Sequence, residues 1–403
     1  MTSRPASKPG DFVLTSVLWM SGFFFVVSAL YNAHAQQHKP ARALTFAYVT
    51  NVADNTVSVI NTANNKVVVT ISVGGFPDAV ATTPDGTHAY VTNAFDNNVS
   101  VIDTVSNTVV ATIPVGSSPN GIAITPNGTH RYEDDDRRHP PLAYVTNGAD
   151  NTVSVIDTAS NKVVATIPVR QDPTGVAITS DGTHAYVTNQ LDDSVSVIDT
   201  STNTVVATIP GFPDFVLPIG VAITPDRAHP YERDDRRHNS FAYVTNNVPD
   251  IDGSNLPAST VSVIDTASNT VVATIPVGEY PNGIAITPDG AHAYVANNLP
   301  PSNGSINSAG VVSVIDTARN KVVATIPVGS GPVGVGITPD ANHPYERNDR
   351  PHQPLAYVTN LVDNTVSVID TTSNKVVATI PVGTFPFAVA FASVTPSHHG
   401  TEQ

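Results

Sequence analysis

The residues of this chain that are able to do chemistry are few, and most of them recur. Aspartates close a repeated V-S-V-I-D-T segment at Asp103, Asp157, Asp199, Asp265, Asp316 and Asp370, with Asn61 at the same place in a further copy. A carboxylate present in nearly every unit serves the unit, by accepting bonds from turn amides, rather than one reaction. His88, His184 and His292 recur likewise, just ahead of a repeated A-Y-V segment. There is no cysteine, which excludes haem attachment through C-x-x-C-H. Neither a G-x-S-x-G nucleophile motif nor a phosphate-binding glycine loop is present.

Four segments fall outside the recurrence. Asp250-Ile251-Asp252-Gly253-Ser254-Asn255 places oxygen donors at alternating positions around a glycine bend. Calcium loops use that pattern because a hard cation needs many oxygens. Asp250, Asp252 and Asn255 are therefore candidate metal ligands, although the segment is short and lacks a bidentate glutamate, so that an ordinary Asx-rich turn is the preferred reading. Calcium is the one cofactor the sequence suggests; no other is expected. The remaining three segments share a template: Tyr132 to His139 with Arg137 and Arg138, Tyr231 to His238 with Arg236 and Arg237, and Tyr345 to His352 with Arg347 and Arg350. Tyrosine and arginine are favoured at interface hot spots, so His139, His238, His352 and their neighbours form a candidate partner-binding patch. The plainer reading is three solvated hairpins whose arginines face their own aspartates, each exposed pair being worth roughly 0–1 kcal/mol.

What must position these groups is set by repetition. The segment A-Y-V-T-N or A-Y-V-A-N places a tyrosine at 48, 90, 144, 186, 243, 294 and 357, spacings that reduce to a 42-residue unit plus insertions of 12, 9 and 3. One unit reads GIAITPNG, AYVTN, NTVSVIDT and NKVVATIPVG, four short β-type runs separated by turn residues. Four antiparallel strands in about 40–45 residues make a propeller blade. The first run carries small side chains, as innermost strands must where blades converge on an axis. The chain opens on a second strand and ends on a first strand, Phe387 to Ala392. The carboxy-terminal strand is thus expected to complete the blade begun at Tyr48, closing a ring of seven and removing its open edges.

These motifs resemble those of the YVTN family of β-propellers, found in bacterial and archaeal surface or exported proteins. YVTN, VSVIDT and VVATIPVG repeat almost verbatim over 47–394. The resemblance implies an all-β, seven-bladed propeller of four-stranded blades. Related seven-bladed propellers include lactonases and haem- or quinone-linked enzymes as well as binding proteins, so the fold does not decide the activity.

Alternating strand direction puts the turns between second and third strands and the blade-to-blade connections on one face, here called the top. Residues just ahead of the innermost strands then line its central mouth: Phe387, Asp78, Asn120, Thr174, Ile219, Asn282 and Val333. Only one is a carboxylate, where a lactonase-like hydrolase needs several ligands on one ion or a placed acid or base. Asp78, Asn120 and Asn282 form a candidate ligand site, against the alternative of solvated turn residues. Insertions at 247–259 and 298–310, the lengthened connection 211–218 with Phe212 and Phe215, and Tyr280 lie on one side and either wall a pocket or are tolerated loop growth on a robust scaffold.

Residues 1–35 have the build of a signal peptide: Arg4 and Lys8, an apolar stretch over 12–30, then Ala33-His34-Ala35. A linker at 36–46, the propeller at 47–394 and a tail at 395–403 would follow. An uncut leader would instead anchor the chain in a membrane. Formal charge is −15, which repels nucleic acid at long range and leaves single-stranded nucleic acid binding to the arginine loops alone. The expectation is an exported, periplasmic or surface scaffold that binds a protein, glycan or envelope component through its loops, with lactonase-like hydrolysis as the alternative.

Overall fold

The computed structural model describes residues 44–126, 140–210, 216–225, 240–248, 259–298, 309–339 and 354–394. Within them the chain forms seven four-stranded antiparallel sheets. Every sheet runs inner, second, third and outer strand in order, and the one helical element is a single 3-10 turn at Gln190–Asp192. The carboxy-terminal strand Pro386–Val394 pairs antiparallel with Leu44–Asn51, so the first blade is built from both ends of the propeller and the ring is closed. We number this composite sheet blade 1.

Burial follows the sequence pattern. In every second strand the alanine, tyrosine and valine of A-Y-V are all but completely buried, and so is the V-S-V-I of every third strand. Both faces of a strand are buried because each blade is covered by a neighbour on either side. The apolar clusters accordingly straddle blades: Tyr48, Val57 and Val59 of blade 1 pack with Val80, Ala89, Val91 and Ile102 of blade 2. The outer strands are the most exposed, and the inner ones are partly so. Each outer strand carries a bulged valine opposite the third strand, such as Val68 or Val164, more than half exposed. Bulges in edge strands twist the open edge away from pairing partners.

Two sets of side-chain bonds lock the blades together. On the bottom face the buried tyrosine of each second strand donates its hydroxyl to an asparagine Oδ1 in the third-to-outer turn of the next blade, from Tyr48 to Asn107 around to Tyr357 to Asn65, at 2.6–3.1 Å. Those asparagines hold φ of 49–55°, a left-handed conformation that asparagine tolerates better than most residues. One residue type thus makes the turn and receives the clamp. Burial pushes every one of these phenols up, Tyr243 to about 12, so they remain protonated donors.

On the top side the innermost strands leave their ladder. In blade 2 the pairing skips from Pro77–Asn93 to Val80–Val91, leaving Asp78 and Ala79 outside the ladder. The threonine of Y-V-T-N fills the gap. Thr92 Oγ1 accepts from Ala79 N at 2.8 Å and donates to the carbonyl of Asn120 in the next blade at 2.8 Å. The same bridge forms at Thr50, Thr146, Thr188, Thr245 and Thr359. Blade 6 has Ala296 in that position, and the bridge is absent there.

Candidate functional site

The bulge that frees the inner strands also places the candidate site residues. Asp78, Asn120, Thr174, Asn282, Val333 and Phe387 are each the second residue of an inner strand, and Ile219 is the third of its own. The sequence reading set them just ahead of those strands. The strands reach further because a proline at the top, such as Pro77 opposite Asn93, re-enters the pairing beyond the bulge. Neighbouring inner strands pack side by side all the way round, so these residues form a ring at the mouth of the central channel.

Close approach of the strands decides how the ring is spaced. In blades 3 to 7 the next residue is glycine, at 121, 175, 220, 283 and 334, and a Cβ there would stand 2.2–2.5 Å from a carbonyl oxygen of the following blade. Blades 1 and 2 carry Ala388 and Ala79 at this place. The mouth is therefore not seven-fold symmetric, and the departure falls where Phe387 and Asp78 stand side by side.

Side-chain directions can be read from the polar members. Asn120 Nδ2 reaches the Pro173 carbonyl of the next blade at 3.5 Å. Thr174 Oγ1 lies 3.4–3.5 Å from the carbonyls of Pro218 and Ile219, again one blade on. The main-chain carbonyl of Asp78 accepts the Thr50 hydroxyl at 2.9 Å, but its carboxyl accepts no hydrogen bond among the described residues. Its carboxyl keeps some contact with channel water, yet protein encloses it on nearly every side, and that desolvation raises its pKa to about 7.

A second acid at the mouth was missed by the sequence reading. Asp172 sits in the connection leading into blade 4, and burial raises its pKa as well. A Cβ on Gly148 would stand 2.7 Å from Asn120 Nδ2 and 2.8 Å from Asp172 Oδ1, so the amide and the second acid meet over one spot. The signal was available, because a residue immediately before proline ends six of the seven such connections, the lengthened one into blade 5 apart: Phe76, Ser118, Asp172, Tyr280, Gly331 and Phe385. All six hold φ of 47–67°. That is left-handed backbone, costly for side chains other than glycine, and it sets five non-glycine side chains around the rim.

Aromatic groups gather on the side of blades 1 and 2. Phe76 stacks on Phe95 of the neighbouring top turn with ring centroids 4.6 Å apart. Phe95 is 74% exposed and Phe385 is 45% exposed. Tyr280 stands on the far side of the mouth, half-buried, near Asn282. Phe212 and Phe215 of the proposed wall, the candidate calcium ligands Asp250, Asp252 and Asn255, and all three tyrosine-arginine loops lie outside the described residues.

Most other acids are occupied. Asp54, Asp96, Asp150 and Asp363 of the top turns accept backbone N–H bonds from Thr384, Gly75, Ser117 and Ser330 at 2.6–2.7 Å. The strand-ending aspartates bind turn amides: Asp103 takes Val105 N and Ser106 N, and Asp157 takes Ala159 N and Ser160 N. The Ser106 amide is the main cause that holds the Asp103 carboxyl below its ordinary range. His88 and His184 share Nδ1 with the hydroxyls of Thr87 and Thr183 at 2.8 Å on the bottom face. Among the described residues no three His, Asp or Glu side chains gather closely enough to hold a metal ion, and no helix is long and apolar enough to cross a membrane.

Comparison with known proteins agrees with the fold. Residues 26–131 match the YNCE-like beta-propeller family. A stretch of 92 residues, 22% of this chain, is 35% identical to Antigen Lp49 of Leptospira interrogans and spans 20% of that protein's length. Among solved structures, hydrazine synthase of Kuenenia stuttgartiensis superposes with a TM-score of 0.59 at 22% identity, covering 80% of this chain and 96% of that one. A protein of unknown function from Desulfotomaculum acetoxidans gives a TM-score of 0.62 at 18% identity, covering 86% and 98%. The dihydro-heme d1 dehydrogenase NirN, in complex with DHE, gives 0.54 at 14% identity, covering 86% and 74%. At these identities the likeness is one of fold, and the β-propeller is shared by proteins of different activity.

Proposed function

We propose that this chain is an exported or cell-surface propeller that binds a protein, glycan or envelope component on its top face, as a scaffold rather than as an enzyme. One observation carries the reading. The side chains that recur in register through the blades, namely tyrosine, asparagine, threonine and aspartate, are engaged in holding blades and turns together, whereas the side chains that differ from blade to blade collect at the top mouth. A uniform frame with a variable rim is what a recognition surface requires. The exposed Phe95 and Phe385 supply the apolar anchors that interfaces favour. The leader motif at Ala33-His34-Ala35 is the ground for export.

Binding to envelope fractions from cells that make the protein tests this. Phe76→Ser, Phe95→Ser and Phe385→Ser combined are expected to cut retention at least tenfold, while Val68→Ser with Val164→Ser on the outer rim leaves it unchanged. Equal retention by both variants, each shown to be folded, removes the top face from consideration.

Lactonase-like hydrolysis has one observation in its favour. A carboxyl with a pKa of about 7 at a channel mouth has the value a general base needs at neutral pH. The metal-dependent form of that reading lacks a three-ligand cluster among the described residues. A hydrolytic role for Asp78 requires lactone turnover that Asp78→Asn abolishes.

A further inference from the structure

The mouth is divided into two unlike arcs that meet at blade 2. On one side stand Phe385 and Phe387 of blade 1 with Phe76, which leans on Phe95. On the other stand Asp78, Asn120 and Asp172 of blades 2, 3 and 4. The two carboxyls accept no hydrogen bond among the described residues, and both residues are half-buried at the mouth. A half-buried carboxylate without partners is costly in its ionised form, and besides a proton a bound cation is the group that would offset that cost.

The charges around the site favour the same ligand. The inner and second strands packed about Asp78, over 44–51, 77–82, 88–93, 119–124 and 386–394, contain no lysine or arginine, and their one histidine, His88, starts its strand on the bottom face. On the adjoining top turns Asp54, Asp96 and Asp150 are occupied by backbone amides. Arg170, in the connection that carries Asp172, turns towards Asp192 at 3.9 Å. Among the described residues the charged groups on this side of the mouth are therefore acids, with a net charge of −15 behind them to draw cations in.

We propose that this side of the mouth is a binding site for an organic ammonium ion, held by Asp78 and Asp172 through its charge and N–H groups, with its apolar body against Phe387, Phe385 and Phe76. Asn120, between the acids, offers its amide oxygen to a further N–H. An aromatic face beside a desolvated carboxylate suits ammonium better than a hydrated metal ion, because the ring attracts the charge and the stem buries apolar surface. The chemistry is the same for a free arylalkylamine and for the lysine side chain of a partner. The inference rests on the top face being the binding face.

Calorimetric titration of the full chain at pH 8.5 tests it, with 2-phenylethylammonium as probe and 2-phenylethanol and 3-phenylpropionate as neutral and anionic controls. The ammonium probe is expected to bind with a dissociation constant on the order of 1 mM or tighter, and the controls at least tenfold more weakly. Asp78→Asn should weaken the probe roughly tenfold. That variant keeps the fold, because asparagine already occupies this position at Asn120 and Asn282. Asp172→Asn should weaken it less. Affinity should rise between pH 6 and pH 8 as Asp78 ionises, and lose that dependence in Asp78→Asn. Nα-acetyl-lysine methylamide separates the sources: binding by it alone assigns the site to a partner's lysine, and binding by the arylalkylamine alone assigns a free amine. No binding by either, equal binding of the three phenyl compounds, or no response to Asp78→Asn overturns the proposal. Top-face envelope retention that survives Asp78→Asn would leave the scaffold reading standing without it.

Discussion

The bottom and top seams between blades are made from the same repeats, yet they differ in regularity. Below, seven tyrosine hydroxyls meet seven asparagines without exception. Above, the threonine bridge forms six times and fails at Ala296, glycine gives way to Ala79 and Ala388, and the ring residues run from phenylalanine to aspartate. The lower seam is a fastening, where any departure costs stability and gains nothing. The upper seam is built with a margin, since the bridge acts through the main-chain carbonyl and the following N–H and leaves the side chain beside them free to vary. A frame of this kind permits a carboxylate without a partner, and Asp78 stands in that position.

Removing the closing strand is the largest test of the frame. A chain ending before Pro386 loses the pairing with Leu44–Asn51, the bond from Thr359 to the Phe387 carbonyl and the cover over blade 7. It also exposes a strand edge in blade 1. Circular dichroism is expected to show no cooperative melt, whereas a transition close to that of the full chain would mean that the seams hold an open ring by themselves.

Asp78→Asn measures what the upper seam tolerates. Burial raises the pKa of this carboxyl from 3.8 to about 7, so the folded state holds a proton that the unfolded chain has released above pH 4. That contribution to stability is present at low pH and is lost as pH rises through 7. Asparagine does not titrate. The two proteins should therefore melt together near pH 4, and the variant should gain progressively up to pH 8. The full interval corresponds to roughly 4 kcal/mol, and channel water screens part of it, leaving about 1–3 kcal/mol. An advantage that is the same at pH 4 and pH 8 would show that the carboxyl is solvated.

The frame was legible in the sequence because its signals are local and repeated. Y-V-T-N, the turn residues and the orphan first strand at Phe387 are enough to fix blade number and closure. The clamp was not legible, because the asparagine of the third-to-outer turn looks like any turn residue until the preceding blade's tyrosine is set against it. The site was half legible. Asp78 and Asn120 were found by counting one position per blade, but Asp172 stands two positions ahead of Thr174, in a connection that the same count passed over. The bulge brings these two positions to one rim, and alternation of apolar and polar residues carries no sign of a bulge.

The smallest effect is expected where the upper seam is incomplete. Ala296 is fully buried, and in blade 6 neither Gly283 N nor the Val333 carbonyl receives the hydroxyl that serves the other seams. A threonine fits this position in six blades with its Oγ1 2.7–2.9 Å from the next blade's carbonyl. The spacing at blade 6 is of the same kind, since a Cβ on Gly283 would stand 2.5 Å from the Val333 oxygen, against 2.2–2.4 Å at Gly121, Gly175, Gly220 and Gly334. Ala296→Thr should thus complete the ring and add about 0.5–1.5 kcal/mol, the usual net worth of a buried hydrogen bond. Thr245→Ala at the seam before it should cost a similar amount or slightly more, because it strips a bridge from groups already packed around it. Denaturant unfolding of the two variants and the double variant gives the comparison. If Ala296→Thr destabilises, the seam between blades 6 and 7 is tighter than its neighbours and alanine is there for lack of room, which would make this part of the ring a second departure from symmetry, separate from the one at Ala79 and Ala388.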